Sequence, residues 1–140
     1  MPETAAILRY TARILTERGL HTGDQFAAPN GSLDICAAIY LAAHGKQLRV
    51  FTFDEDLSIG FIECSAPAMA AIRAVSDHLD TAPCVTPIAP GHEVPDYIEH
   101  VSNWAATIPV FGTRQPTASE VVSRLLRTAD ALDAPQALAA

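Results

Sequence analysis

A cysteine, two histidines, two carboxylates and a glutamine occur within a short stretch of the first third of the chain. The residues are His21, Asp24, Gln25, Asp34, Cys36 and His44. These residue types can supply a nucleophile, a base and an orienting group. Cys36 and His44 are separated by about 12 Å along a helix, so they cannot pair directly. Because apolar residues surround Cys36 in the sequence, a packed, unreactive thiol is the favoured interpretation.

A second group of polar residues, His92, Glu93, Asp96, Glu99 and His100, has a spacing that would suit a metal ion. If a helix starts at Pro95, Asp96 and His100 share one face, and His92 or Glu93 supplies a third ligand. The same residues make an ordinary solvated face, and their spacing matches no established metal signature. We therefore expect no metal and no cofactor.

A third group consists of the consecutive carboxylates Asp54, Glu55 and Asp56. Clustered carboxylates attract hard cations, but the glycine and glutamate that complete an EF-hand loop are absent from the sequence here. The favoured interpretation of this group is a solvated turn.

Composition excludes several classes of function. The chain has 140 residues, 49% of them hydrophobic, and a net charge of −7, which disfavours binding to nucleic acid or to an anionic membrane. The one basic group, Arg114, Arg124 and Arg127, is sparse and lies beside acidic residues. Three cysteines at wide spacing fit neither a disulfide framework nor a zinc motif, which indicates a reducing cytoplasm.

The segment 32–45 predicts a helix that is apolar on nearly every side. Ser32 is a start signal and Gly45 a stop signal. Alanines on two sides of this helix allow close approach by its neighbours. We therefore expect it to lie at the centre of a helical bundle.

Four further helices are predicted from their periodicity and end signals. One spans 4–18 and ends at Gly19, and a second opens at Ser65. A third starts at Pro95, and the last follows the capping box of Thr117 and Glu120 and ends at Pro135. The fold class is thus mainly α, a bundle of about five helices in a single domain over 1–140.

Two remaining segments are less regular. The residues in 48–53 and 58–64 are rich in β-branched and aromatic types and predict a short β-hairpin, with a loop as the alternative. Four prolines and a glycine in 80–95 predict an extended connection, which is either a packed strap or a lid.

Three stretches of the chain together resemble a known family, namely 7–27, 33–45 and 97–132. The last of these contains the capping box at Thr117. The chain resembles an uncharacterised family of small actinobacterial proteins, a domain of unknown function. Asn103 precedes Trp104 here, whereas the family has the reverse order. The resemblance implies a helical fold and a bacterial cytoplasmic setting, and it implies no activity or catalytic residue.

These observations lead to two hypotheses for function. The first is a small accessory or regulatory module, not an enzyme, that binds a protein partner or a second copy of itself. The alternative is a ligand-binding protein or enzyme with a pocket beneath the 80–95 connection. It would use residues from the first two polar groups, namely His21, Asp24, Cys36, His92 and His100.

Overall fold

The computed structural model describes residues 3–110 and 112–134. Within these ranges the chain forms six α-helices, one 3-10 turn and one two-stranded antiparallel sheet, which confirms a mainly α fold. The helices are α1 (Thr4–Arg18), α2 (Ile35–His44), α3 (Glu55–Glu63), α4 (Ala66–Asp77), α5 (Tyr97–Ala106) and α6 (Ala118–Asp133). The strands are β1 (Val85–Ala89) and β2 (His92–Pro95), and the 3-10 turn is Arg49–Thr52.

Helix α2 lies at the centre, as its composition predicts, and packs against α1, α4 and α5. Every residue from Ile35 to Tyr40 is buried. The helix begins at Ile35 and not at Ser32, because the Asp34 carboxylate accepts a hydrogen bond from the Cys36 amide at 2.8 Å. The hydroxyl of Ser32 donates instead to Asn30. Gly45 ends the helix in the left-handed conformation that favours glycine.

Helix α6 packs along α1, and α1 in turn packs against α2. One half of the predicted capping box forms, since the Thr117 hydroxyl accepts a hydrogen bond from the Glu120 amide at 3.2 Å; the Glu120 carboxylate accepts from the Thr117 hydroxyl. Thr11 and Thr128 are buried in this layer and satisfy their hydroxyls on carbonyls of their own helices. The predicted end of the last helix at Pro135 lies outside the described residues.

The predicted hairpin over 48–64 is wrong, because this segment forms the 3-10 turn and helix α3. Asp54 begins α3 by accepting a hydrogen bond from the Leu57 amide at 3.0 Å. Glu55 and Asp56 lie in the first turn, where acidic side chains interact favourably with the helix dipole. The apolar residues that suggest a strand are divided between two sides of the helix, since Ile62 is fully buried and Phe61 is 44% exposed.

A hairpin does occur, but in the proline-rich 80–95 segment, where the sequence predicts an extended connection. Strands β1 and β2 pair with a bulge between Pro87 and Ala89. All of β1, and β2 except Pro95, is exposed. Since proline lacks the amide donor of a central strand, these prolines are compatible with a free two-stranded hairpin.

Helices α4 and α5 begin at side-chain caps. Ser65 accepts a hydrogen bond from the Ala68 amide, as the sequence predicts for α4. Helix α5 begins at Tyr97 and not at Pro95, because Pro95 is the last residue of β2 and Asp96 caps the helix through the Glu99 amide. The hairpin is therefore joined directly to α5.

Candidate functional site

The loop between α1 and α2 carries most of the first group of polar residues and is fixed by backbone hydrogen bonds. The Asp34 amide donates to the Phe26 carbonyl at 2.7 Å, and the Phe26 amide donates to the Phe51 carbonyl at 2.9 Å. The ring of His21 lies 2.7 Å from the Asp24 carbonyl through Nε2. The loop is thereby held between α2 and the 3-10 turn.

Asp34 is the most buried carboxylate on this side of the molecule, with 9% of its surface exposed. Its Oδ2 accepts two hydrogen bonds, one from the Cys36 amide at 2.8 Å and one from the Ser102 hydroxyl at 3.0 Å. Burial raises the pKa of Asp34 to about 6. The hydrogen bonds favour the ionised form and lower the pKa, but their effect is smaller than that of burial. The Ala37 amide also donates to this carboxylate and likewise favours its ionised form.

Cys36 is fully buried beside Asp34. Its Sγ lies 3.7 Å from the Ile98 carbonyl and 3.3 Å from the Ser102 hydroxyl. Burial, together with the neighbouring Asp34 carboxylate, raises the pKa of the Cys36 thiol. The thiolate needed for nucleophilic attack is therefore disfavoured, and the thiol serves as a packed side chain.

A polar cleft of about 240 Å³ opens above Asp34 and Ser102. We call it the Asp34 cleft. Its polar lining comes from the α1–α2 loop, α3 and α5, and includes Asp24, Gln25, Asp34, Glu55, Glu99, Ser102 and Asn103. The lining residues carry four carboxylates and neither arginine nor lysine. Three residues of the first predicted group, Asp24, Gln25 and Asp34, thus meet Glu99 of the second group and Ser102 of α5, which the sequence did not indicate as a site residue.

Gln25 has an unusual conformation in this cleft. Its φ angle is +68°, the one positive value among the non-glycine residues that the structure describes. Its side-chain Oε1 is buried and has no hydrogen-bond partner in the described part of the chain. Left-handed backbone in a residue with a Cβ costs about 1 kcal/mol, and a buried unpaired acceptor adds to that cost. Such features concentrate at functional sites.

His100 lies between two hydroxyls. The Ser76 hydroxyl is 2.6 Å from Nδ1 and the Thr81 hydroxyl is 2.7 Å from Nε2. A serine and a histidine in contact resemble part of a hydrolase site, but Ser76 is buried in α4, and the group on the other ring nitrogen is a hydroxyl and not a carboxylate. Burial lowers the pKa of His100. The neutral ring joins α4, the following loop and α5.

The remaining members of the second polar group are not gathered around His100. His92 and Glu93 are exposed in β2, and Asp96 caps α5. Across 3–110 and 112–134, no three His, Cys, Asp or Glu side chains stand close enough to hold a metal ion. His44 lies at the far end of α2, where its ring contacts the Ser65 hydroxyl and packs against Tyr40.

A larger and more open cleft of about 680 Å³ lies between the start of α6 and the end of α5. The cleft is lined by Trp104, Arg124 and Arg127. Trp104 is half-buried and lies at an edge of the core. Arg124 donates to the His78 carbonyl at 3.2 Å. Neither this cleft nor the Asp34 cleft has a lining residue from 80–95, the segment beneath which the sequence suggests a pocket.

The fold and the cleft define a class: a small, mainly α protein with an acidic cleft beside its central helix. The chain belongs to the family of unknown function DUF6197, whose model matches residues 1–131. No curated protein and no solved structure matches the chain. Within the described ranges, no single helix is long and apolar enough to cross a membrane. Helices α3 and α4 taken together have the required length and composition, but they are bent by 97° relative to each other.

Proposed function

We propose that this protein is an accessory module that binds a protein partner through helix α3. The observation that supports the proposal is an apolar stripe on the exposed side of that helix. We call Phe53, Leu57 and Phe61 the α3 stripe. They are 66%, 49% and 44% exposed, respectively.

The spacing of the α3 stripe is that of a helical binding face. Leu57 and Phe61 are four residues apart on α3, and Phe53 lies four residues before Leu57, just ahead of the Asp54 cap. Leu57 and Phe61 therefore lie on one side of α3, whereas Phe53 precedes the helix and is an exposed aromatic residue next to its start. A helix with apolar anchors at such intervals is suited to an apolar groove on another protein. Aromatic anchors also contribute disproportionately to binding energy at interfaces.

Charge around the stripe favours a different protein over a second copy of the chain. Segment 53–63 contains the carboxylates Asp54, Glu55, Asp56 and Glu63 and has no basic residue. Two such surfaces would repel each other, whereas a groove rimmed by lysine or arginine would attract this one. We therefore expect a partner that offers an apolar groove with a basic rim.

The exposed hairpin is a weaker candidate for the same role. It carries Val85, Ile88 and Val94 at the surface. Pro87 and Pro95, however, remove amide donors from the two strands, so pairing with a further strand is disfavoured. The α3 stripe needs no such backbone pairing.

The burial of reactive groups supports a binding role over catalysis. Cys36 is fully buried, and Ser76 is buried beside a neutral His100. Neither arrangement presents a nucleophile to a substrate.

A proposed cellular setting accompanies this role, namely the reducing cytoplasm of an actinobacterium. The free state of Cys36, Cys64 and Cys84 supports a reducing compartment. The preponderance of arginine over the single lysine, Lys46, together with many alanines, supports a GC-rich genome.

The experiment compares Leu57→Ser with Leu132→Ser. Leu132 lies on α6 and is 44% exposed, so it controls for the loss of an exposed leucine elsewhere. Tagged wild type and both variants are used to capture proteins from cells of the source organism, and size-exclusion chromatography with light scattering gives the oligomeric state. We expect a protein that wild type and Leu132→Ser retain, that Leu57→Ser loses, and that high salt releases.

Two results would contradict the proposal. In one, the wild-type protein is a monomer that retains no partner. In the other, every retained protein is retained equally by Leu57→Ser, so that binding does not involve the stripe. If the wild-type protein is a dimer and Leu57→Ser disrupts it, the partner of the α3 stripe is a second copy of the chain and not a different protein.

A further inference from the structure

We infer that the large cleft between the end of α5 and the start of α6 binds a small phosphate monoester that carries an aromatic ring, as a nucleoside monophosphate does. We call it the Trp104 cleft, because Trp104 of α5 lines it opposite one face of α6. The inference rests on two arginines without a carboxylate partner and on an aromatic ring that line the same space. It is independent of the α3 stripe, since no residue of that stripe is among the described residues that line the cleft.

The two arginines of the cleft, Arg124 and Arg127, lie three residues apart on α6 and therefore on the same side of the helix. Arg124 is half-buried and is held in place by donating from Nη1 to the His78 carbonyl at 3.2 Å. Arg127 is exposed, and its Nε donates to the Ser123 carbonyl of its own helix at 3.4 Å. In the part of the chain that the structure describes, no carboxylate oxygen lies within 4 Å of a nitrogen of either guanidinium. Both positive charges are thus available to a ligand.

The charge of the lining determines the sign of the ligand. Glu120 is the one carboxylate among the described lining residues, and it forms an ion pair with Arg114. The two arginines and Glu120 leave one net positive charge, and Arg114 adds a second. This is a local excess of positive charge in a chain whose net charge is −7. An anion is therefore attracted to this cleft.

A phosphate monoester matches these arginines better than a carboxylate does. A guanidinium presents a planar fork of N–H donors that pairs with phosphate oxygens. A phosphate monoester carries about −1.5 to −2 charges at pH 7, whereas a carboxylate carries a single charge. Two guanidinium groups on one side of a helix therefore balance one phosphate group.

The remaining walls of the cleft suit a flat ring. Trp104 is half-buried, so part of its indole is left accessible where it lines the cleft. Pro109, Pro116 and Leu126 add apolar surface. Aromatic rings such as nucleobases stack on tryptophan. The volume of about 680 Å³ also lies within the usual range for small-molecule sites.

A single phosphate ester fits this cleft better than a nucleic acid strand does. The cleft offers two unpaired arginines, which is enough for one phosphate. A strand would carry further phosphates across a protein of net charge −7, where they would be repelled. We therefore expect the ligand to be a small molecule and not a polymer.

The test uses the fluorescence of Trp104, the one tryptophan in the sequence. Adenosine monophosphate is titrated into the full-length protein, with excitation at a wavelength that the nucleotide does not absorb. We expect saturable quenching, because the base stacks on the indole. Adenosine, which lacks the phosphate, and ribose phosphate, which lacks the ring, should each bind at least about tenfold more weakly in calorimetric titrations. A short oligoadenylate should bind no more tightly than the mononucleotide.

Two variants test the role of the arginines. Arg127→Gln should weaken binding of the mononucleotide by about tenfold, and it should fold because Arg127 is exposed, whereas Arg124 also connects α6 to His78. Arg49→Gln removes the same charge from the exposed side of the 3-10 turn, and should bind like wild type.

Four results would overturn the inference. Folded wild type shows no saturable binding of adenosine monophosphate, or one of its two fragments binds as tightly as the whole nucleotide. Arg127→Gln and Arg49→Gln bind the nucleotide equally, so that the cleft is not the site. The oligoadenylate binds more tightly than the mononucleotide, in which case the surface recognises nucleic acid.

Discussion

The Ser102 hydroxyl on α5 donates to Asp34 Oδ2 at 3.0 Å and joins residues 68 positions apart in the chain. The same hydroxyl lies 3.3 Å from Cys36 Sγ, so one side chain contacts both polar groups at the start of the central helix. The carboxylate is buried at the edge of the core and yet lines a cleft. This contact fixes α5 against α2 and provides the floor of the candidate site.

Replacing Asp34 by Asn should stabilise the protein at neutral pH. Asn keeps the cap of α2 but carries no charge. The pKa of Asp34 is about 6 in the folded protein against an ordinary value of 3.8, so its contribution to stability is greatest in acid and is lost as the pH rises through 6. The stability of Asp34→Asn relative to wild type should increase by about 2 kcal/mol between pH 4 and pH 7. Urea unfolding measures this difference.

An equal effect of Asp34→Asn at both pH values would show that the carboxylate is solvated and its pKa ordinary. Ser102→Ala is the complementary variant, because it removes a hydrogen bond that favours the ionised form. This variant should raise the pKa of Asp34 further, whereas exposure of the carboxylate to solvent would lower it.

Cys36 should resist alkylation in the folded protein. Its thiol is fully buried and its pKa is raised, whereas Cys64 and Cys84 are exposed. Treatment with iodoacetamide followed by peptide mass spectrometry should label Cys64 and Cys84 only, and labelling of Cys36 should require denaturant. Rapid labelling of Cys36 in native protein would mean that the centre of the bundle is open.

His100→Gln should reduce stability by about 1 kcal/mol above pH 7, because the ring connects Ser76 and Thr81. The ordinary pKa of histidine is 6.5 and burial lowers it in the folded protein, so the contribution is full above pH 6.5 and is lost as the pH falls through the folded value. The penalty of the substitution should therefore shrink at pH 5. His92→Gln, in the exposed hairpin, is the control and should have little effect at either pH.

Gly60→Ala tests the open space beside position 60 in the interior of helix α3. An added Cβ at Gly60 meets no atom within 4 Å, and alanine stabilises a helix interior over glycine by about 0.5–1 kcal/mol. Thermal unfolding should show a higher midpoint for this variant. Gly45→Ala, at a φ of +72°, should have the opposite effect. A lower midpoint for Gly60→Ala would contradict the unobstructed position of residue 60 in α3.

End signals and periodicity in the sequence are sufficient to predict most of the helices. Gly19, Ser65 and Thr117 act at the positions where the sequence places them, because each acts within a few residues of itself. Over 48–64 the same local information misleads, since Phe53 and Ile59 have strand propensity. The Asp54 cap and the burial of Ile62 outweigh that propensity.

The candidate site is harder to predict than the helices, because its residues come from distant parts of the chain. Residue type alone points to Asp24 and Cys36. Ser102 carries no sequence signal that links it to Asp34, and only packing of α5 on α2 brings the two together. The positive φ angle of Gln25 is equally invisible in the sequence, since glycine or asparagine would be expected there.

Photo-crosslinking inside cells is the most direct test of the proposed partner surface. Phe61, in the α3 stripe, is replaced by p-benzoylphenylalanine, and Tyr10, an exposed aromatic residue on α1, is replaced in a control protein. We expect position 61 to crosslink to another protein, at a peptide that forms its apolar groove and contains lysine or arginine. We expect no such crosslink from position 10. Equal crosslinking from both positions, or none from position 61, would contradict the account.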